Sequence, residues 1–230
     1  MNVTVSNAVR KWVGRAEEGA ATALPRPEWL SGKEFSQEWT LIHLGTWNAV
    51  FAPFRREVRD ILEIGSWEGM SALYFLNFFP ECSITCVDTF AGSAEHKDPS
   101  SPSFAVDLLG VEGRFDRNTS EYGDRVSKIK VRSACALDAL AEQHRAFDLI
   151  YVDGSHRRAD VMADSVLCWC LLRVGGILIW DDWRWCEDAP SEEKPKDAID
   201  LFRRAFSPCM TTLHSGYQLI VRKTGEWPIR

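Results

Sequence analysis

Basic charge is scarce in this chain. Its 27 lysines and arginines stand against 33 acids, a formal net charge of −6. That excludes general binding to nucleic acid or to anionic membranes, both of which need cationic surface. Met1 to Ala21 holds no apolar stretch suited to a signal peptide, and no run is long enough to span a membrane. The expectation is a soluble cytoplasmic protein. Metal-like cysteine pairing is also missing. The seven cysteines are an odd number, and Cys82, Cys86, Cys168 and Cys170 fall in apparent strand and helix segments, so buried thiols in a reducing compartment are expected. The glycine triplet of a nicotinamide-binding loop is absent as well, which weighs against an oxidoreductase.

What is present is organised around Ile61 to Ser71. Ile61 to Ile64 is a short apolar run that reads as a buried strand. The chain breaks at Gly65, passes Gly69, and enters an apolar-periodic segment, Met70 to Phe79, that reads as a helix. A strand, a glycine turn and a helix place backbone N–H groups and a helix N-terminus at one point, the usual site for a nucleotide-like ligand in an open α/β sheet. Glu63 sits at the strand's exit, where an acid can accept hydrogen bonds from a ligand's hydroxyl or ammonium groups.

The 230 residues fit one large domain with a normal 45% hydrophobic share. Residues 1–34 are expected to form an N-terminal arm and 35–230 the single domain. Phe35 to Arg59 reads as one or two helices broken at Pro53, either packing on the first strand or closing over a ligand. Ser83 to Asp88 is a second strand ending in an acid. Asp88 stands about where a second-strand carboxylate grips ribose hydroxyls, or simply caps a turn. The connection 89–127 is long, with a short helix expected near Phe104–Leu109, and such insertions are often lids. Glu95 and His96, near its start, read as solvated. Val126 to Arg132 is a third strand with Ser133 at its exit, followed by a helix from Ala134 to His144. Ala146 to Asp153 is a buried fourth strand, again ending in an acid, then Gly154-Ser155-His156 and a helix from Arg158 to Leu172. Gly175-Gly176 leads into a fifth strand, Ile177 to Trp180, ending in Asp181-Asp182. Residues 183–195 form a second candidate lid, and Ala198 to Phe206 a helix. Met210 to His214 and Tyr217 to Arg222 form a hairpin through Ser215-Gly216.

Strands alternating with helices predict an α/β fold, a Rossmann-like doubly wound and mainly parallel sheet closed by a C-terminal antiparallel hairpin. Ligands of such sheets sit outside the carboxyl ends of the strands. Glu63, Asp88, Ser133, Asp153, His156, Asp181 and Asp182 all fall at that edge. Trp180, Trp183 and Trp185 follow the fifth strand. Trp180 alternates with Leu178 and reads as core, while the other two offer aromatic surface to a sugar or planar acceptor.

The motifs Glu63-Ile-Gly-Ser-Trp-Glu-Gly-Met-Ser71, Val87-Asp88-Thr-Phe90, Tyr151-Val-Asp-Gly-Ser-His156, Leu171-Leu-Arg-Val-Gly-Gly176 and Asp181-Asp182 resemble class I S-adenosylmethionine-dependent methyltransferases, closest to the methyltransferase family 24 type, over roughly residues 58 to 223. Two positions depart from that pattern. Trp67 stands where the first loop usually has its middle glycine, and Val174 where the later turn usually has proline. The resemblance implies Glu63, Gly65, Ser66, Trp67, Gly69 and Ser71 around the methionine part of the cofactor. It implies Asp88 and Thr89 at the ribose, Ser133 and Ala134 at the adenine, and Asp153 beside the amino group or a metal. A subset of sugar- and polyketide-tailoring O-methyltransferases further implies Asp153, Asp181 and Asp182 as Mg²⁺ ligands and His156 as base. Oxygen-only ligation suits Mg²⁺ or Ca²⁺ rather than zinc.

The sulfonium methyl is already activated, so a protein has mainly to align the nucleophile with the S–CH₃ bond and remove its proton. The resulting reading is O-methylation of a small-molecule hydroxyl with His156 as base and Mg²⁺ assistance; the alternative for His156 is a helix cap. An N-methyltransferase, a peptide methyltransferase and a catalytically silent cofactor-binding module stand as alternatives, the first disfavoured because the fourth strand is followed by Asp153-Gly-Ser-His rather than an Asn-Pro-Pro-aromatic motif. The acceptor and any homo-oligomeric state are left open.

Overall fold

A computed structural model describes residues 26–99, 107–185 and 194–226. Seven strands form one sheet: β1 (Asp60–Ile64), β2 (Ser83–Val87), β3 (Val126–Ile129), β4 (Phe147–Val152), β5 (Leu172–Trp180), β6 (Met210–Ser215) and β7 (Leu219–Lys223). Their order is β3-β2-β1-β4-β5-β7-β6. The first five are parallel, and β7 and β6 close the sheet antiparallel. The doubly wound sheet and its terminal hairpin are as expected. Strand order reverses between β1 and β4, so a crevice opens beyond their carboxyl ends.

Alternation along the strands builds two cores. Leu62, Ile64, Ile150, Val152, Leu178 and Trp180 face one side. Ile61, Leu149, Tyr151, Ile177 and Ile179 face the other. The first side is covered by α4 (Ser133–Glu142), α5 (Arg158–Leu171) and α6 (Pro195–Phe206). The second is covered by α1 (Leu44–Phe51), α2 (Met70–Phe78) and α3 (Val111–Thr119). Met70 to Leu76 is buried around its whole circumference. Trp47 stacks on Phe75 on the α1 side, and Leu30 packs on Met70 and Leu73. A helix apolar all round needs such cover.

Three local expectations change. Asp107–Leu109 is not helical; the described helices of that connection are a single turn, Ala94–Lys97, and α3, and residues 100–106 lie outside the described ones. Val111, Phe115, Asn118 and Thr119 make one buried stripe at helical spacing, which Gly110 and Gly113 disguise. The fifth strand begins at Leu172, earlier than its apolar run. Phe147 pairs with Leu172 but Leu149 with Ile177, so the extra residues form a bulge in which Gly175 takes φ +91°. Cys82, Cys86 and Cys168 are buried, but Cys170 is exposed, two residues round α5 from Cys168. Among the described residues, no helix is long and apolar enough to cross a membrane. Most of the second candidate lid, 186–193, lies outside the described residues, as do residues 1–25 of the expected arm.

Candidate active site

The loop from Gly65 to Gly69 is held from three sides. Asp88, at the exit of β2, accepts the N–H groups of Ser66 and Trp67 on Oδ2, both at 2.8 Å, and that of Phe90 on Oδ1 at 2.7 Å. Gly65 takes φ +85°, and a Cβ there would lie 1.9 Å from the Asp153 carbonyl oxygen. Only glycine allows β1 and β4 to approach so closely. Gly69 takes the same left-handed conformation against Phe115 and Thr119 of α3. Trp67 adopts φ 46° without being glycine, a conformation that costs on the order of 1–2 kcal/mol.

Beneath this loop lies Glu63, fully buried. Ser66, Ser71 and Cys86 surround its carboxylate, and burial pushes its pKa up to about 7. Neither Glu63 oxygen has a well-formed hydrogen bond, and Ser66 Oγ and Trp67 Nε1 are likewise buried without one. Buried polar atoms left in this way are costly and mark places that a polar ligand would satisfy. The cradle thus fits a cofactor bearing hydroxyl, ammonium and carboxylate groups. Thr89 is exposed, its Oγ1 accepting the Ala91 N–H. Ser133 and Ala134 open α4 at the exit of β3, and Ser133 lies near Asp164, a buried acid of α5 whose pKa burial raises to about 6.

The second cluster stands at the exits of β4 and β5. One ligand atom each from Asp153, His156 and Asp182 lie within 4.8 Å of one another, a spacing that could hold a cation. His156 Nε2 is 2.8 Å from Asp182 Oδ2, and the imidazole packs against Trp185 with ring centroids 4.3 Å apart and planes tilted by 31°. Tyr217 donates to Asp182 Oδ1 at 3.0 Å. Asp181 is outside this group. Its Oδ1 accepts the Tyr151 hydroxyl at 2.7 Å and the Gln218 amide, and lies 3.5 Å from His43 Nε2. Burial, then the neighbouring Asp181 and Asp182, hold the Asp153 carboxyl well above the usual range. Burial raises Asp181 too, against the opposing pull of His43. For Asp182 burial pushes upward, but His156 and Tyr217 outweigh it and its carboxyl falls below the ordinary value. Three acids and two imidazoles packed together have the charge pattern that a divalent cation relieves.

A family model for a methyltransferase domain matches residues 62–183, more than half of the chain. The chain belongs to that family. Its motifs and sheet are those of the S-adenosylmethionine-dependent class I methyltransferases. The mycinamicin VI 2''-O-methyltransferase of Micromonospora griseorubida is 25% identical over 173 residues, which is 71% of this chain and 37% of that protein. The chain therefore spans well under half the length of that relative. Among solved structures, the MycE methyltransferase with Mg, S-adenosylhomocysteine and mycinamycin VI superposes with a TM-score of 0.55 at 20% identity, over 88% of this chain and 55% of that one. The O-methyltransferase TomG from Streptomyces achromogenes, in complex with S-adenosylmethionine, gives 0.63 at 16% identity, over 94% and 98%. At such identities the likeness shows the methyltransferase fold.

This methyltransferase carries groups around its site that the motifs do not single out. His43 lies between Trp47 and Tyr217, ring centroids 5.8 and 5.9 Å away. Trp47 Nε1 donates to Gln218 Oε1 at 2.6 Å, and so helps aim Gln218 at Asp181. The sequence signal for His43 was its place four residues from both Trp39 and Trp47, on one stripe of a helical segment. His96, expected to be solvated, packs at a tilt against Trp67, centroids 4.5 Å apart, and stacks on Trp39 at 5.7 Å. Trp180 is core, 1% exposed. Trp183 is nearly buried and donates to Asp200 at 2.9 Å, which leaves Trp185 as the aromatic face at the acids.

Proposed function

We propose that this methyltransferase moves the methyl group of S-adenosylmethionine to a hydroxyl oxygen of a small-molecule acceptor, a sugar- or polyketide-like metabolite. The observation that carries the reading is the meeting of Asp153, His156 and Asp182 beside the glycine loop. The 2''-O-methyltransferase activity of the mycinamicin relative supports oxygen as the methylated atom.

In this reading Glu63, Ser66 Oγ and Trp67 Nε1 bind the methionine end of the cofactor, and Asp88 fixes both loop and ribose. The Ser133–Ala134 turn takes the adenine. Asp153 and Asp182 would hold Mg²⁺ with Asp181 at their flank. The ion, when bound, would polarise an acceptor hydroxyl and ease its deprotonation. His156, kept in place by Asp182, takes the acceptor's proton as the oxygen lone pair forms the new O–CH₃ bond. The S–CH₃ pair leaves on sulfur, giving S-adenosylhomocysteine. The protein's contribution is alignment of oxygen, methyl carbon and sulfur, with proton removal at neutral pH.

Calorimetry with S-adenosylhomocysteine and with NAD tests the cofactor assignment. Binding of the first at micromolar affinity is expected. Binding of NAD alone, or of neither at millimolar concentration, would overturn it.

A further inference from the structure

Glu68 belongs to the glycine loop, yet its side chain turns outward from the strand exits. The carboxylate is 1% exposed and accepts hydrogen bonds from the Ser36 backbone N–H at 2.5 Å, Ser36 Oγ at 2.7 Å and Arg114 Nε at 2.5 Å. A buried carboxylate is tolerated only when it is paired and hydrogen-bonded. These three donors come from outside the loop, one residue of the N-terminal segment and one of α3.

Asn118 of α3 strengthens the same junction. Its Oδ1 accepts the Glu34 N–H at 3.0 Å, and its Nδ2 donates to the carbonyls of Glu34 at 2.8 Å and Glu68 at 2.9 Å. Lys33 donates to the Asn118 carbonyl at 2.7 Å. Residues 33–36 are thus fastened to the glycine loop and to α3 by side chains that imitate strand pairing.

The segment then runs across the site. Trp39 packs against Trp67 of the loop, ring centroids 5.7 Å apart and planes tilted by 45°. Four residues later His43 stands 3.5 Å from Asp181. One stretch, 33–43, therefore touches the cofactor loop at one end and the acid cluster at the other. Within the loop, Glu68 holds it by hydrogen bonds and Trp67 by ring contact.

We propose that Glu68 is a positioning residue that docks the 33–43 segment over the cleft, so that the cofactor loop and the aromatic wall carrying His43 become ordered together. Cofactor binding then organises the acceptor side before the acceptor arrives. The identity of the ligand rests on the methyltransferase reading; the docking itself does not.

The test is amide hydrogen exchange, read by mass spectrometry on the full chain, with and without S-adenosylhomocysteine. In the Glu68→Gln variant an amide NH₂ faces either the Ser36 N–H or the Arg114 guanidinium. Without ligand, exchange over 33–43 is expected to be about tenfold faster than in the wild type, the loss of a charge-assisted hydrogen bond. Exchange in β4 and β5 should be unchanged. With ligand, 33–43 and the glycine loop should both slow in the wild type, and the loop alone in the variant. Wild-type exchange over 33–43 in Glu68→Gln without ligand would overturn the proposal, as would retained ligand protection of 33–43. Should Glu68→Gln open globally, Ser36→Ala, which removes one hydroxyl, takes its place; faster exchange confined to 33–43 supports the proposal and a wild-type rate overturns it. A wild type that S-adenosylhomocysteine does not protect anywhere sinks the cofactor reading, and the ligand-free comparison still decides the role of Glu68.

Discussion

Asp181 and Asp182 are consecutive, but Asp182 Oδ2 lies 2.8 Å from His156 Nε2 while Asp181 Oδ1 lies 2.7 Å from the Tyr151 hydroxyl. The alternation of β5 persists for one residue past its end and sends the two carboxylates to different partners. Asp182 joins Asp153 and His156, whereas Asp181 is tied to Gln218 and His43. Two acids that look interchangeable in sequence therefore occupy different electrostatic positions.

Cation binding should separate them. Mn²⁺, followed by its electron paramagnetic resonance signal, is expected to bind the wild type, with Mg²⁺ competing. Asp182→Asn should weaken that affinity about 100-fold and Asp181→Asn about tenfold, the usual range for a ligand and for a group supporting one. Equal losses would place Asp181 in the ligand set as fully as Asp182. No Mn²⁺ binding by the wild type would remove the cation from the mechanism.

Gly65 and Gly123 share a positive φ but differ in surroundings. A Cβ at Gly65 would collide with the Asp153 carbonyl, whereas at Gly123 nothing lies within 4 Å. Gly123→Ala should therefore cost only the strain of its φ +50°, ψ −128° backbone, a conformation that glycine alone takes readily, about 1–3 kcal/mol. Gly65→Ala adds a backbone clash that must push β1 and β4 apart, for a total of roughly 3 kcal/mol or more, and cofactor affinity should fall with it. Urea unfolding of the two variants compares them directly, and similar losses would mean that the β1–β4 contact yields easily.

Much of this was legible in the sequence because it follows from periodicity. The buried runs of β1, β4 and β5 and the acids at their exits fix the sheet and its ligand edge. What stayed hidden depends on contacts distant in sequence. His43 meets Asp181, and Ser36 meets Glu68, through pairings that no local pattern encodes. The helix α3 was masked by two glycines whose low propensity is outweighed by the packing of Val111 and Phe115. Asp88 lay where expected, but its hold on the loop N–H groups is visible only in three dimensions.

Lys223 offers a test of the scaffold independent of any ligand. Its ammonium is buried, 1% exposed, and donates to the carbonyls of Trp169 at 3.2 Å and Leu172 at 2.9 Å, closing the end of α5. Glu226, its ion-pair partner at 2.9 Å, is largely exposed. Lys223→Met keeps the stem but leaves two carbonyls without a donor, and should cost about 2–4 kcal/mol in urea unfolding. Glu226→Gln should cost less, about 1 kcal/mol, because its exposed end stays hydrated and the amide oxygen still faces the buried ammonium. The reverse ranking would show that the charge pair, not the helix cap, holds Lys223 in place.

Glu63 should give the ligand-free protein a distinctive pH dependence. Its carboxyl titrates near 4.5 when unfolded and at about 7 when buried beneath the loop. A folded-state pKa that is raised means the folded protein favours the protonated acid. The associated stability is present in full below pH 4.5, declines across the interval, and is lost once pH passes about 7. The loss is on the order of 3 kcal/mol. Glu63→Gln imitates the protonated form and should remove this component, so the difference in unfolding free energy between variant and wild type should grow in the variant's favour from pH 5 to pH 8. A difference that stays constant over that range would show that Glu63 is not strained by burial. A cofactor whose ammonium or hydroxyl groups donate to Glu63 would lower its pKa again. Binding near pH 7 should then release a fraction of a proton, seen by calorimetry as a heat that depends on the ionisation enthalpy of the buffer, and Glu63→Gln should abolish that dependence.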